Sequence, residues 1–474
     1  MSLSAPNRWA VLGLVCVAQF MVILDATIVN VALPSIEGGL HFSPTGLQWI
    51  VNAYTLVFGG ILLLGGRAGD LLGLKRLFLA GVVVLTVASL LDGLAVNSGM
   101  LIGSRALQGL GAAFISPAAL SIISTTFEEG KERGKALGVW AAIASGGSAV
   151  VLVLGGVLTQ AFSWPWIFFI NVPVGLAAFL LSLRLIPESI DEHAERSFDV
   201  AGAVAVTGGL MALVYAIVKA PQDGWTAPVT LGTFAVSAIL LASFIVIELR
   251  AAAPLVRLDI FRIRTLSAAN VVMFLVASGL FAMFFFNSLY IQRVMDYGPL
   301  KAGLAFLPFT AGIMISAGLA SQLSPRLGVR PIALAGMVVT AIGMLLLVRI
   351  PVGGSYLTDV FPSIMLTSLG MGAVFVPLTL VATMGLADSD QGLASGLFNT
   401  SQQVGGAVGL AILATVAASH TSSSAKPALV HGFHWAFAGG AVFVVVALAA
   451  LLALLRTRTV ATVDAEVEVE PIAA

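Results

Sequence analysis

The sequence predicts an all-α membrane protein of fourteen transmembrane helices, two six-helix bundles plus two inserted helices, and three observations carry that prediction. Apolar residues fill 59% of the 474 positions and charged residues only 10%, against roughly 25% charged in an ordinary soluble chain. Apolar runs of about 20 residues recur from end to end, whereas a membrane β-barrel would alternate over segments of about 10. Basic residues fall on alternate connections, as they do when inner loops collect them. The 23 basic and 23 acidic residues cancel, which argues against a nucleic-acid partner. The one cysteine, Cys16, excludes an intramolecular disulfide and reads as packing within a span.

Taken in order, the first six spans are expected near 9–33, 46–65, 77–96, 100–124, 136–160 and 165–186. The first is too long for a signal peptide and carries no small-residue cleavage site, so it is read as retained. Its stretch MVILDATIVNVALPSIE holds Pro34, which predicts a bend near its far end. A polar connector, PESIDEHAERSFD, follows at 187–199. Two further spans near 200–219 and 228–248 precede a basic connector at 249–264. Six more are expected near 266–292, 300–323, 331–350, 357–384, 392–418 and 433–455.

The organisation that follows is an N-terminal bundle over 1–186, a linker with two inserted spans over 187–264, a C-terminal bundle over 265–456 and a disordered cytoplasmic tail over 457–474. An internal echo supports two related halves. Gly66 to Arg76 joins spans two and three, and Ser321 to Arg330 joins spans ten and eleven, with Gly73 and Gly328 in matching places. Parallel repeats of this kind build transporters whose substrate site lies between the halves. With the N-terminus inside, seventeen basic residues fall on inner segments and five on outer ones. Both termini are therefore expected in the cytoplasm of a multi-pass cell-membrane protein.

Asp25 is the first residue to explain, because a carboxylate at mid-membrane depth costs at least ~2.5 kcal/mol and marks pathways and sites. Counting 1.5 Å per residue puts it roughly 24 Å up from the inner start of its span. Arg105 lies roughly 8 Å below the outer start of span four, at the same level. A shared aqueous cavity or a direct pairing would keep both charged. Asp25 is then either a proton carrier or half of a fixed ion pair, and Arg105 either positions Asp25 or binds substrate. Asp92, near the outer end of span three, is expected at the solvated interface.

Thr27 and Asn30 give span one a polar stripe, so they are assigned to a substrate cavity together with Gln108 of span four. Asn399, Gln402 and Gln403 of span thirteen could not face lipid cheaply. They line the cavity or hydrogen-bond between helices. In the loop after span two, Gly66 and Gly73 suit a tight turn, Asp70 a helix cap, and Lys75 and Arg76 the inner surface. Such a loop is a well-made turn or, beyond that, a conformational latch. Gly146, Gly155 and Gly156 of span five allow close approach or hinge bending.

These residues resemble a known family. Leu24-Asp25-Ala26-Thr27-Ile28-Val29-Asn30-Val31-Ala32-Leu33-Pro34 is similar to the first-helix signature of the fourteen-span drug:proton antiporters of the major facilitator superfamily. Gly66 to Arg76 resembles that superfamily's loop motif, Arg105 to Ala113 its fourth-helix motif, and Phe168 to Gly175 a further one. The resemblance implies rocker-switch alternating access and export coupled to inward proton flow, with Asp25 as the proton-linked acid, Arg105 its partner and Asp70 a latch. Three departures stand out. Val151-Leu152 replaces the usual glycine of span five, Trp164-Pro165-Trp166 lacks the usual arginine, and no acid occurs in 299–323 or 392–418. A neutral or singly charged amphipathic substrate is therefore expected.

The expected function is export of lipophilic small molecules, a drug, antibiotic or metabolite, with protons as coupling ion and no other cofactor. Uniport, uptake or lipid movement on the same scaffold, or a sensor that moves nothing, are the alternatives. No enzyme is expected: there is no phosphate-binding loop, the histidines at 41, 193, 420, 431 and 434 fall mostly near span ends, and no metal-ligand cluster sits inside a span. The expected partners are the lipid bilayer and the small-molecule substrate, with the chain a monomer.

Overall fold

The computed structural model describes residues 7–43, 45–127, 130–187, 199–251, 254–384, 386 and 388–455. The expected disordered tail and most of the acidic connector lie outside the described residues. Every regular element among the described residues is helical. The first six crossings are α1 (Arg8–Leu40), α2 (Trp49–Leu72), α3 (Leu74–Gly93), α4 (Ser98–Thr126), α5 (Lys131–Ala161) and the pair α6 (Trp166–Phe169) and α7 (Asn171–Leu185). Next come α8 (Val200–Asp223) and α9 (Pro228–Arg250). The last six are α10 (Arg264–Leu289), the pair α11 (Pro299–Ala305) and α12 (Leu307–Leu327), then α13 (Val329–Leu347), α14 (Phe361–Thr383), α15 (Asp388–Ser419) and α16 (Lys426–Leu454). Thirteen of these crossings are long and apolar enough to span a membrane, and α5 adds the shorter apolar stretch Gly146–Ala161.

Local chemistry explains the ends and breaks. The Asn7 side chain caps α1 by accepting from the Trp9 N–H, and Asn97 caps α4 by accepting from Met100. Pro308 in the first turn of α12 cannot donate to a preceding turn, so α11 stops and α12 restarts. Gly73 and Gly328 occupy the same place in the two halves, each joining one helix to the next at positive φ, 91° and 83°. Only glycine takes that conformation without strain.

Helices α1 to α7 pack among themselves, as do α10 to α16. Outward faces such as Val83, Val87 and Leu90 of α3 are exposed, as befits lipid contact. The inserted α8 lies across the seam between α2 and α15, where Leu56, Leu210, Val214, Ala407 and Ala411 form one apolar cluster. Its partner α9 is outermost, with 11% of its apolar window buried.

We call the face where α1 starts near, and the face where it ends far. The bundles close on each other at the far side. Glu37 pairs with Arg293 just beyond α10, and the Leu300 N–H donates to Gln160 Oε1 at 3.3 Å. A Cβ on Gly156 would lie 2.7 Å from Leu300 Cα, and one on Gly303 would lie 2.3 Å from the Leu152 carbonyl oxygen. These glycines are therefore what lets α5 and α11 touch. The glycine missing at Val151-Leu152 is met by one on the opposite helix, since a backbone crossing needs only one side to lack a side chain.

Pro34 has a direct consequence for this closure. Its missing N–H leaves the Asn30 carbonyl without a helical donor, and the Ser288 hydroxyl of α10 donates to it instead. The structure keeps α1 as one helix through Pro34, and the proline's effect is this contact between the halves.

Toward the near side the α5–α12 seam opens. Among the described residues, its nearest contacts to that side are Ser148 with Thr310 at 3.5 Å and Gly146 beside Met314. Beyond them Gly134, Gly138 and Gly318 face open space. Here a cleft of about 470 Å³, lined by Trp9, Gly13, Val17, Phe20, Val139 and Ile143, lies along α1 and α5, which are joined at their near ends by Arg8 with Glu132 at 3.1 Å.

Candidate functional site

Three helices bring the buried polar groups together. Along α4, Arg105 and Gln108 are three residues apart and so share one face. Arg105 Nη1 donates to Asp25 Oδ2 of α1 at 2.9 Å, and Gln108 Nε2 donates to Asp25 Oδ1 at 2.7 Å. Asn171 Nδ2 of α7 approaches Oδ1 from 3.4 Å. Direct pairing, not a shared water-filled space, is what joins Asp25 to Arg105 in this conformation: their side chains are 0% and 1% exposed.

The guanidinium is held from several sides. Its Nε donates to the Ile50 carbonyl at 2.9 Å and its Nη1 to Gln108 Oε1 at 2.7 Å. The Tyr54 ring lies 4.6 Å from Cζ, a cation–π contact that gains strength when desolvated. Tyr54 is itself tied to α1 by donating to the Val22 carbonyl at 3.2 Å. Small residues make this enclosure possible. A Cβ on Gly109 would sit 2.4 Å from the Tyr54 carbonyl oxygen, and one on Gly111 would sit 2.7 Å from the Leu85 nitrogen. Helices α2 and α3 therefore close on α4 from both sides.

Helix α3 adds Ser89, which accepts from Gln108 Nε2 at 2.8 Å, and Asp92, whose Oδ1 meets the Ser104 hydroxyl. Asp92 is 0% exposed, which corrects the expectation that it is solvated. Its carboxyl turns into the α3–α4 contact onto the Ser104 hydroxyl, and the Phe169 ring of α6 packs over the neighbouring Gly93. The sequence count of apolar residues placed Asp92 near a span end and carried no sign of either neighbour.

Of the cavity assignments, Gln108 belongs to the sealed cluster, at 0% exposed. Thr27 and Asn30 are half-buried, with Asn30 Nδ2 donating to the Thr27 carbonyl at 3.2 Å, and they lie beside the far closure. Asn399 is exposed, Gln402 is half-buried, and Gln403 packs on Gly59 at the α2–α15 seam. Ser401 donates to Asn270 Oδ1 at 2.7 Å, an interhelical bond. The structure thus divides these polar residues among three places.

Of the loop residues, Gly73 makes the turn while Gly66 lies inside α2, against Pro117. Lys75 Nζ donates to the Leu183 carbonyl at the end of α7, at 2.9 Å. Arg76 is exposed, and the side chain of Asp70 lies outside the described residues. Arg67, which sequence reasoning did not single out, donates to the Pro254 carbonyl of the basic connector at 2.9 Å. Gly155 and Gly156 are contact points, against Ile28 and Leu300, and Gly146 lies beside Met314 of α12. Among the described residues no three potential ligands gather as a metal site.

With that geometry in place, comparison with known proteins is decisive. The family model of the Major Facilitator Superfamily matches residues 15–410. This chain belongs to that superfamily. Its relatives within the superfamily include the puromycin resistance protein pur8 of Streptomyces alboniger, 39% identical over 95% of this chain and 92% of the relative. The cephamycin export protein CmcT of Amycolatopsis lactamdurans is 37% identical over 98% of this chain and 95% of its own. The superfamily fold is shared with a bacterial homologue of the human lysosomal transporter Spinster, solved inward-facing and occupied, at TM-score 0.67 and 15% identity over 97% and 99% of the two chains. The nucleoside transporter NupG aligns at TM-score 0.67 and 11% identity, over 94% and 100%. Family and fold are those of transporters, and the chain is a multi-pass membrane protein.

Proposed function

We propose that this chain is a proton-coupled exporter of lipophilic, antibiotic-like small molecules that works by alternating access. Relatives along nearly the whole chain are resistance and export proteins, which supports the export direction. The observation that carries the coupling is Asp25, a buried carboxylate in a transmembrane helix held by a guanidinium and two amides.

The excess of basic residues on the near side supports placing that face, and both termini, in the cytoplasm. The far closure and near cleft then describe an inward-facing state that receives substrate from the cytoplasm or inner leaflet. In this reading the ion pair is a lock, and protonating Asp25 removes the carboxylate's charge and frees Arg105. The proton is the coupling ion, and the chain acts as a monomer. Gly73 and Lys75 anchor the turn at the cytoplasmic surface, while Asn399 and Gln402 line the inward opening.

Proteoliposomes test this, with puromycin as probe. Uptake into inside-out-oriented liposomes is expected to follow an imposed pH gradient, inside acidic, and to collapse with Asp25→Asn. Gradient-driven transport that survives the substitution unchanged would overturn the coupling.

A further inference from the structure

The cluster around Arg105 holds two carboxyl groups and one cation, all buried: Asp25 and Asp92 at 0% and Arg105 at 1% exposed. If both acids were ionised, one negative charge would stand uncompensated away from water, a cost of several kcal/mol that proteins avoid by binding a proton. Asp25 already has its share of compensation. It accepts from Arg105, Gln108 and Asn171. Asp92 touches one side-chain partner, the Ser104 hydroxyl, and its Oδ2 is buried with no hydrogen-bond partner.

The serine decides which acid is neutral. Its hydroxyl has a single hydrogen, and its oxygen also stands 2.8 Å from the Met100 carbonyl, which can only accept. If Ser104 donates to Met100, the contact with Asp92 is satisfied only when Asp92 brings its own proton and donates to Ser104. A protonated Asp92 makes both bonds, whereas an ionised one forfeits one of them. The charged groups that act on it are Arg105 from α4 and Asp25 from α1, while α6 lays the Phe169 ring over the neighbouring Gly93. None of these supplies a second cation.

We propose that Asp92 is a positioning residue that keeps one resident proton throughout the transport cycle, so that Arg105 remains available to Asp25 alone. The inference rests on the proton-coupled reading above and extends it to a second acid. Ionised, Asp92 would compete with Asp25 for the one guanidinium and hold α3 to α4 when α1 should exchange its proton. The resident proton keeps that competitor silent.

Infrared difference spectroscopy of the purified full chain in liposomes tests this without a substrate. At neutral pH, wild type minus Asp92→Asn is expected to show the carbonyl stretch of a protonated carboxyl, sensitive to deuterium exchange. In an Asp25→Asn background Arg105 has lost its carboxylate partner, and the band is expected to weaken as Asp92 gives up its proton to supply the counter-charge; the wild-type band itself is expected whether or not Asp25 is the coupling acid. Ser104→Ala, which leaves Asp92 in place, is expected to shift the band without loss of intensity. A carboxylate band at Asp92, or a band indifferent to Ser104→Ala, overturns the proposal.

Puromycin transport supplies the second readout. Wild-type transport is expected to fall as the medium is made alkaline, partly because Asp92 loses its proton, and Asp92→Asn, which cannot ionise, is expected to show a shallower fall that begins at higher pH, the remainder following Asp25. Fewer protons moved per puromycin by Asp92→Asn would also overturn it, since Asp92 would then carry a proton instead of keeping one.

Discussion

At the scale of single residues, Arg105 holds the site together through several directions at once. It binds one oxygen of Asp25, the Ile50 carbonyl and Gln108, and it lies over the Tyr54 ring. Arg105→Ala leaves the Asp25 carboxylate buried without its cation, and breaking a buried pair in that way costs about 3–5 kcal/mol. The expected outcome is a clearly lowered unfolding temperature in detergent. Arg105→Lys is expected to restore only part of it, because an ammonium cannot reproduce the planar fork or the stacking. A full rescue by lysine would show that charge alone matters here. Asp25 and Arg105 were legible in the sequence because charges inside apolar runs are rare. Ser89, Ser104 and Asn171 were not, since a lone serine or asparagine in a span has no distinguishing pattern until its partner is known.

At the scale of elements, the far closure is made of backbone contacts that single substitutions can disturb. Pro34→Ala would return a helical donor to the Asn30 carbonyl, which Ser288 now serves. The far closure should weaken as Ser288 loses an acceptor that α1 now satisfies itself. Gly156→Val puts a side chain where a Cβ already stands 2.7 Å from Leu300 Cα. In a Cys16→Ser background with Thr27→Cys, half-buried beside the closure, as reporter, both changes are expected to raise labelling from the far side by an impermeant maleimide. Unchanged labelling in both would mean that neither the proline nor the glycine holds the closure. The proline was readable from the sequence. The contact between halves that it creates was not, because Ser288 lies 258 residues from Asn30.

At the scale of the whole molecule, the two seams between the bundles differ. One is covered by α8, whose Thr207 sits against Gly60 and whose Ile217 carbonyl accepts from Thr415 at 3.3 Å. The other, between α5 and α12, opens toward the near face. Cysteines placed at Gly134 and Gly318 are therefore expected to react with an impermeant reagent in inside-out vesicles and to be protected in intact cells. One placed at Gly303, against the Leu152 carbonyl, is expected to stay unreactive from the near side. Equal reaction of all three would mean that the seam does not close at one end only.

Sequence alone determined the helical class, the crossings, the repeated glycine turns and the intramembrane ion pair's two members, because each follows from local composition, from periodicity or from the cost of a charge in hydrocarbon. Only the tertiary structure decided which polar groups share one buried cluster. Asp92 shows why. Its carboxyl is turned onto Ser104 of α4, and a phenylalanine 77 residues further along packs over the adjacent Gly93; no local pattern around Asp92 encodes either neighbour.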